Sequence, residues 1–281
     1  MSVKIAVHVG AHKTGTSLIQ KYMRDKPDQL EPFGVRVISR GDTNTLIGWG
    51  KALIDTPRLF SARLDEECAE DGAHYVIASH ENTLGRPHLP SGEHLYPEAA
   101  TRVAALAAIL RDRDARVIIY LRPQAAFLES YYLQLVQQGG SLTFDQWLDR
   151  VDFDRVSWRP VVEMLRDSMG PERVAIGDFE EIRAGQDPFL SGFFRRVDPA
   201  IKVQPKYSAR RNLSISDKGL RIALAANPHL RTPDEKKRMR AFLQKHFSNA
   251  KYPRPVLFSD SHRADLTARY GDEYRELTSA S

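Results

Sequence analysis

A glycine-containing segment near the amino terminus has the residue types that hold an anion. Residues 8–20 read HVGAHKTGTSLIQ, after a short apolar run from Val3 to Val9 and before apolar side chains at helical spacing. The pattern predicts a strand, a glycine loop and a helix. In that arrangement the amides of the loop and of the first helical turn point their N–H groups at one spot, and the helix dipole adds positive charge there. The segment therefore predicts a phosphate-type anion site.

The details of this loop argue against an ordinary nucleoside triphosphate. A P-loop reads G-x-x-x-x-G-K-[ST], with the lysine on the β- and γ-phosphates. Gly10 and Gly15 keep the glycine spacing, but Thr16 stands where that lysine belongs, and the lysine of this chain lies earlier, at Lys13. Thr14 and Ser17 add further hydroxyl donors. From this loop alone, a structural glycine turn or a degenerate P-loop remains an alternative.

The series His-x-Gly-x-x-Lys-Thr-Gly-Thr-Ser over residues 8–17 resembles the 5′-phosphosulfate loop of sulfotransferases that use 3′-phosphoadenosine 5′-phosphosulfate. The resemblance implies that this donor is the co-substrate and that Lys13 also acts in catalysis. The donor-binding residues it implies in this loop are Gly10, His12, Lys13, Thr14, Gly15, Thr16 and Ser17.

A second signal follows the run from Ala115 to Leu121, whose β-branched and aromatic residues predict a buried strand. Arg122 comes next, and Ser130 follows eight residues later in a predicted helix, directly before Tyr131. An arginine at a strand end and a hydroxyl in the next helix can converge on one phosphate. This segment closely resembles the corresponding segment of sulfotransferases. The resemblance implies that Arg122 and Ser130 bind the 3′-phosphate of the donor. Either residue alone would be read as structural.

Residues 208–214, SARRNLS, loosely resemble the late cofactor loop of the same family. The resemblance implies that Arg210 and Arg211 contact the 3′-phosphate and the adenine. The family's Arg-Lys-Gly triplet is absent, and a solvated arginine pair is the alternative.

His80 and Glu81 follow a third predicted strand, residues 74–79. Ligands of open α/β sheets bind at the carboxyl ends of the strands, so these polar residues are candidates for the site, with a loop or a helix cap as the alternative. In the family that the chain resembles, some members use a glutamate base and others a histidine. Successive residues of an extended segment point to opposite faces, so only one of the two should reach an acceptor. Glu81 is the predicted base because Lys13 can balance its charge, and His80 is the alternative.

The predicted strands lie near residues 3–9, 34–39, 74–79, 116–121 and 173–178, separated by helical patterns. We therefore predict an α/β fold, a P-loop-like three-layer sandwich around a mainly parallel sheet, with residues 1–281 forming a single sulfotransferase domain. Residues 41–62, with Trp49 and Leu53 in a predicted helix, either line a substrate mouth or pack. The proline-rich residues 86–97 predict a loop, with a lid as one interpretation.

Composition limits the function classes. The chain has 281 residues, 42% hydrophobic and 27% charged, without an apolar run of membrane-spanning length or an amino-terminal leader, which predicts a soluble cytoplasmic protein. The net charge of +5 arises from 41 basic and 36 acidic residues dispersed along the chain. This favours anionic ligands without indicating a nucleic acid. Cys68 is the single cysteine, so an internal disulfide and a multi-cysteine metal site are excluded.

The resemblance implies transfer of a sulfuryl group from 3′-phosphoadenosine 5′-phosphosulfate to an acceptor hydroxyl, with adenosine 3′,5′-bisphosphate as the product and no metal. A carbohydrate or small-metabolite hydroxyl is the leading expectation for the acceptor, and an amine is a second one. The alternatives are a P-loop nucleotide-dependent kinase and a non-catalytic protein that binds adenosine bisphosphate. The sequence leaves the oligomeric state open.

Overall fold

A parallel β-sheet forms the centre of the computed structural model, which describes residues 2–89, 95–208 and 214–279. Its strands are β1 Lys4–Gly10, β2 Val35–Val37, β3 Tyr75–Ser79, β4 Ala115–Leu121 and β5 Val174–Asp178. Their order is β2-β3-β1-β4-β5, and every neighbouring pair is parallel. The predicted α/β fold with a parallel central sheet is confirmed, and each strand lies where an apolar run predicted it.

The α-helices connect and cover these strands. In chain order they are α1 Thr16–Asp25, α2 Arg40–Thr43, α3 Ala52–Asp55, α4 Pro57–Ala69, α5 Ala99–Leu110, α6 Gln124–Gln137, α7 Phe144–Leu148, α8 Arg159–Met169, α9 Gln186–Val197, α10 Asp217–Ala226, α11 Pro233–His246 and α12 Asp260–Ser279. In the described residues, none of them has the length and apolar character needed to cross a membrane.

Alternating side chains of the sheet pack into two separate apolar clusters, one on each face. Along β1, Val7 and Val9 belong to the cluster that includes residues of α5, α6 and α8, whereas Ala6 belongs to the cluster with α1 and α9. On β4, Ile119 and Ile118 divide between the clusters in the same way. The alternation follows from the two-residue period of a strand. The result is the three-layer arrangement that the sequence predicts.

The strand order reverses at the centre of the sheet. The chain runs from β1 outward to one edge, returns through β3, and then places β4 on the other side of β1. A crevice opens at such a point, outside the carboxyl ends of the strands, and it is the usual ligand position in this kind of sheet. The segments that follow β1, β3 and β4 are the glycine loop of residues 11–15, His80–Glu81 and Arg122.

The predicted helix carrying Trp49 and Leu53 is wrong in detail. The chain instead forms α2, a π-helical turn from Asn44 to Gly48, and α3, with Trp49 in the bend between them. A Cβ at Gly48 would overlap the imidazole of His80, and Gly50 has φ +67°, where side chains are disfavoured. Contact with the end of β3 therefore overrides the helical spacing.

Candidate functional site

An open cleft of about 2380 Å³ lies at the carboxyl ends of the strands. Basic side chains line it from several elements: Lys13, Lys21, Arg122, Arg240 and Arg254. Of the acids that line it, Glu67, Glu129 and Glu180 are each ion-paired with an arginine, whereas Glu81 forms no ion pair among the described residues. The cleft therefore presents positive charge to a ligand, as the sequence predicts.

Two glycines shape the loop between β1 and α1. Gly10 has φ +113°, and a Cβ there would lie 3.3 Å from the carbonyl oxygen of Glu81. Gly15 has φ +88°, and a Cβ there would lie 2.9 Å from the ring of Phe189. Only glycine combines a positive φ with such close neighbours at low cost. The loop thus approaches the end of β3 and turns sharply into α1, where the amide of Leu18 bonds back to the carbonyl oxygen of Gly15 at 2.8 Å and the amides before it point out of the helix end.

His12 is bound on both ring nitrogens by other residues of the protein. Its Nε2–H donates to Asn82 Oδ1 at 2.7 Å, and its Nδ1 accepts from the Tyr96 hydroxyl at 3.1 Å. The same hydroxyl accepts the backbone N–H of His12 at 3.0 Å. Burial lowers the pKa of His12 to about 4, so the ring is neutral at physiological pH. These contacts favour a role in holding the loop over the direct donor contact that the resemblance implies.

Lys13 stands among cations in the cleft. Burial, followed by the charges of Arg122 and Arg240, lowers the pKa of its ammonium group to about 8, and Glu81 acts in the opposite direction. Lys13 also has φ +65°, an uncommon conformation for a residue with a side chain. The strained backbone holds this lysine near two arginines. Such a cluster of positive charge fits a site at which an anionic ligand balances the charge.

Arg122 is fixed by contacts on both sides. Its carbonyl oxygen accepts the indole N–H of Trp158 at 2.8 Å, and its Nη1 donates to the carbonyl oxygen of Lys13 at 3.1 Å. The guanidinium group lies 5.0 Å from the centre of the Phe179 ring. Its Nε is buried without a hydrogen-bond partner among the described residues. Ser130 of α6 lines the same cleft, so the structure brings the predicted pair to one cavity.

The hydroxyls of the loop divide into three environments. Thr14 Oγ1 donates to the carbonyl oxygen of Ala11 at 2.6 Å and so braces the loop. Thr16 Oγ1 is buried and has no hydrogen-bond partner in the part of the chain that the structure describes. Ser17 is exposed at the cleft. A buried polar group without a partner is uncommon in native proteins and calls for a ligand or an ordered water.

Glu81 and His80 differ sharply in their surroundings. Glu81 lines the cleft, and its Oε2 is buried without a partner among the described residues. His80 is bound on both ring nitrogens, since Nε2–H donates to Asn44 Oδ1 at 2.6 Å and Nδ1 accepts the backbone N–H of Asn82 at 3.0 Å. Burial lowers the pKa of His80 from its usual value. The geometry therefore favours Glu81 over His80 as a proton acceptor.

Sequence reasoning missed several residues of this cleft. Arg240 of α11 and Arg254 line it, and their charges contribute to the lowered pKa values of Lys13 and Arg122, respectively. Tyr96 and Asn82 hold His12 from positions 84 and 70 residues further along the chain. No local spacing signals such contacts. The predicted residues Arg210 and Arg211 lie outside the described residues.

A comparison with solved structures finds a sulfotransferase from Alicyclobacillus acidocaldarius at 18% sequence identity, with a TM-score of 0.46, over 85% of this chain and 94% of that one. It also finds retinol dehydratase in complex with androsterone and the inactive cofactor PAP, at 9% identity and a TM-score of 0.38, over 98% of this chain and 81% of that one. No family model and no curated protein matches the chain. The first structure is named as a sulfotransferase, the kind of enzyme that the two sequence motifs resemble. Both TM-scores lie below 0.5, so the function proposed next rests on the residues of this chain.

Proposed function

We propose that the protein transfers a sulfuryl group from 3′-phosphoadenosine 5′-phosphosulfate to an acceptor hydroxyl. The observation that carries the proposal is a pair of buried donors that have no partner among the described residues, Thr16 Oγ1 and Arg122 Nε, in the cation-lined cleft at the strand reversal. Unpaired buried donors of this kind match the oxygens of an anion. The two sequence motifs, which the fold brings to one cleft, support the same donor.

The residues present fit a ligand with two separate anionic groups. The loop amides, Lys13, Thr16 and Ser17 suit the 5′-phosphosulfate, because a helix amino terminus and a lysine both favour negative charge. Arg122 and Ser130 suit the 3′-phosphate, since a guanidinium fork forms paired bonds with phosphate oxygens. We extend the proposal to Arg210 and Arg211 as contacts to the adenosine 3′-phosphate, on the resemblance alone.

In the proposed reaction the donor supplies a sulfuryl group joined to phosphate through oxygen. The acceptor oxygen forms the new bond to sulfur as the bond between sulfur and the bridging oxygen breaks, which gives a sulfate ester and adenosine 3′,5′-bisphosphate. Lys13 and the loop amides stabilise the negative charge that grows on the departing phosphate oxygen. Glu81 takes the proton of the acceptor hydroxyl on its unpaired Oε2.

A carbohydrate or small-metabolite hydroxyl is the proposed acceptor, and residues 1–281 are proposed to act as one domain. The larger apolar cluster supports the single domain, because it joins Ile5 of β1 to Leu277 of α12. A P-loop kinase is the competing enzyme, but Thr16 occupies the position where its lysine would stand. A binding protein without catalysis is the other alternative.

Transfer of radiolabelled sulfuryl groups tests the proposal. The protein is incubated with labelled donor and cell extract, and label in acceptor fractions is compared with that obtained using Glu81→Gln. Label that appears only with the wild-type protein supports the proposal. Binding of adenosine bisphosphate without transfer to any fraction favours the non-catalytic binder, and phosphoryl transfer from ATP favours the kinase.

Arg122→Ala should weaken binding of adenosine 3′,5′-bisphosphate by about 1.5–3 kcal/mol, or roughly ten- to a hundred-and-fifty-fold in Kd, because hydrogen bonds to charged groups contribute in this range. Titration calorimetry measures the change. The same substitution should weaken the binding of adenosine 5′-monophosphate, which lacks the 3′-phosphate, far less. That comparison separates a direct phosphate contact from the bond between Arg122 and Lys13.

Arg111→Ala is the matched control, since Arg111 is exposed at the end of α5 and does not line the cleft. Its bisphosphate affinity should equal that of the wild-type protein. An unchanged Kd for Arg122→Ala would remove Arg122 from the proposed donor site.

A further inference from the structure

One wall of the cleft lies apart from the donor residues and includes an exposed tryptophan. Residues 39–41, Thr43, Trp49, Arg86 and Pro87 line this wall. Trp49 leaves 49% of its surface exposed, which is unusual for the largest side chain of the set. A large aromatic surface open to a cleft is suited to contact a ligand.

The backbone that carries Trp49 is held firmly. The buried guanidinium group of Arg102 donates to the carbonyl oxygens of Ile47, at 3.5 Å, and of Gly50, at 2.7 Å. The amide of Trp49 itself donates to the carbonyl oxygen of Asn44 at 2.8 Å. These bonds close the bend on both sides of Trp49, so its exposed ring is presented from a fixed backbone.

This ring and the proposed base line the same cleft. Trp49 and His80 meet edge to face with ring centres 6.3 Å apart, and His80 directly precedes Glu81. Asn44, which forms part of the same bend, accepts a hydrogen bond from His80 at 2.6 Å. A molecule resting on Trp49 would therefore occupy the cleft that Glu81 also lines.

Two exposed arginines give this wall a positive charge. The guanidinium group of Arg86 lies 4.7 Å from the centre of the Trp49 ring, and Arg40 lines the same wall. Within residues 2–89, 95–208 and 214–279, neither arginine forms an ion pair with an acid. Most other arginines near the cleft are paired or bound to carbonyl oxygens, so these two are available to a ligand.

We propose that this wall, formed by Trp49, Arg86 and Arg40, binds the acceptor and selects one that has both a ring and a carboxylate. The ring packs against Trp49, and the carboxylate pairs with Arg86 and, secondarily, with Arg40. The inference rests on the proposed function, because it assigns the acceptor of the same reaction. The carboxylate is not consumed: the hydroxyl of the acceptor gives its proton to Glu81 and gains the sulfuryl group. Sugar acids and phenolic acids share this chemistry.

Two matched pairs of probes test the inference by equilibrium binding, with and without adenosine bisphosphate. One pair is 4-nitrophenyl glucuronide and 4-nitrophenyl glucoside, and the other is 4-hydroxyphenylacetate and its amide. Within each pair, one compound carries a carboxylate and the other carries a neutral group at the same position. We expect at least one carboxylate to bind about fivefold more tightly than its neutral partner, the size of a partly exposed ion pair. The pair that shows the preference identifies whether the acceptor is a sugar acid or a phenolic acid.

Arg86→Gln should remove this preference, Trp49→Ala should weaken both members of the pair, and Arg58→Gln should change neither. Arg58 is exposed on α4, outside the cleft, and is the charge-matched control. Equal affinities within both pairs, no binding of either carboxylate, or a preference that survives Arg86→Gln would overturn the inference. A failure of the proposed function would appear as a lack of bisphosphate binding. The carboxylate preference is also measured without bisphosphate, so it tests the acceptor wall independently.

Discussion

Glu81→Gln should lower turnover by about a hundred- to ten-thousand-fold, the usual contribution of a general base, while adenosine bisphosphate binds as it does to the wild-type protein. Glutamine keeps the size of the side chain and removes its ability to take a proton. The expected loss follows from position, because Glu81 lines the cleft and its Oε2 has no partner in the part of the chain that the structure describes. Steady-state kinetics measures turnover, and calorimetry measures the affinity for bisphosphate.

His80→Asn is the comparison for this prediction. Because both ring nitrogens of His80 already bind Asn44 and the amide of Asn82, we expect a much smaller loss of turnover. Melting temperatures of both variants identify any loss that arises from folding. If His80→Asn lost the larger share of turnover at an unchanged melting temperature, the role of base would pass to His80.

Lys13→Ala should lower turnover by about a hundred- to a thousand-fold, the cost of removing one preorganised donor from a growing oxyanion, and should weaken bisphosphate binding much less. Alanine keeps a Cβ at φ +65°, so the substitution does not relax the backbone of the loop. The separation of the two effects follows because the charge of Lys13 matters most once the departing oxygen becomes anionic. The ratio of the change in turnover to the change in Kd measures this difference.

Lys237→Ala is the control for Lys13→Ala, since Lys237 is exposed on α11 and does not line the cleft. Both its turnover and its bisphosphate affinity should match those of the wild-type protein. If Lys13→Ala weakened binding by the same factor as turnover, Lys13 would be a binding residue alone.

The sheet could be predicted from the sequence because each strand is a short apolar run between polar segments, and parallel strands buried on both faces require such runs. The glycine loop between β1 and α1 could be predicted for a related reason. Gly10 and Gly15 stand where the backbone needs a positive φ, so the spacing of the glycines reflects the shape of the loop.

The contacts that complete the cleft could not be predicted, because they depend on packing between distant segments. The resemblance implies that His12 contacts the donor, and nothing in its neighbourhood in the sequence indicates that its ring also binds Asn82 and Tyr96. Arg240 looks like one of many bases on an exposed helix until α11 is placed beside the cleft. Residue type shows what a side chain can bind, and tertiary structure decides which partner it meets.

The most direct test of the donor site compares the thermal stabilisation of the protein by adenosine 3′,5′-bisphosphate with that by ATP and Mg²⁺. At a bisphosphate concentration of roughly a hundred times its Kd, binding to the folded state adds about 2.7 kcal/mol, which raises the melting temperature by about 5 °C. We expect this rise with the bisphosphate, a smaller one with ATP and Mg²⁺, and a loss of the difference in Arg122→Ala. Equal or greater stabilisation by ATP and Mg²⁺ would contradict the account and favour a nucleotide-dependent kinase.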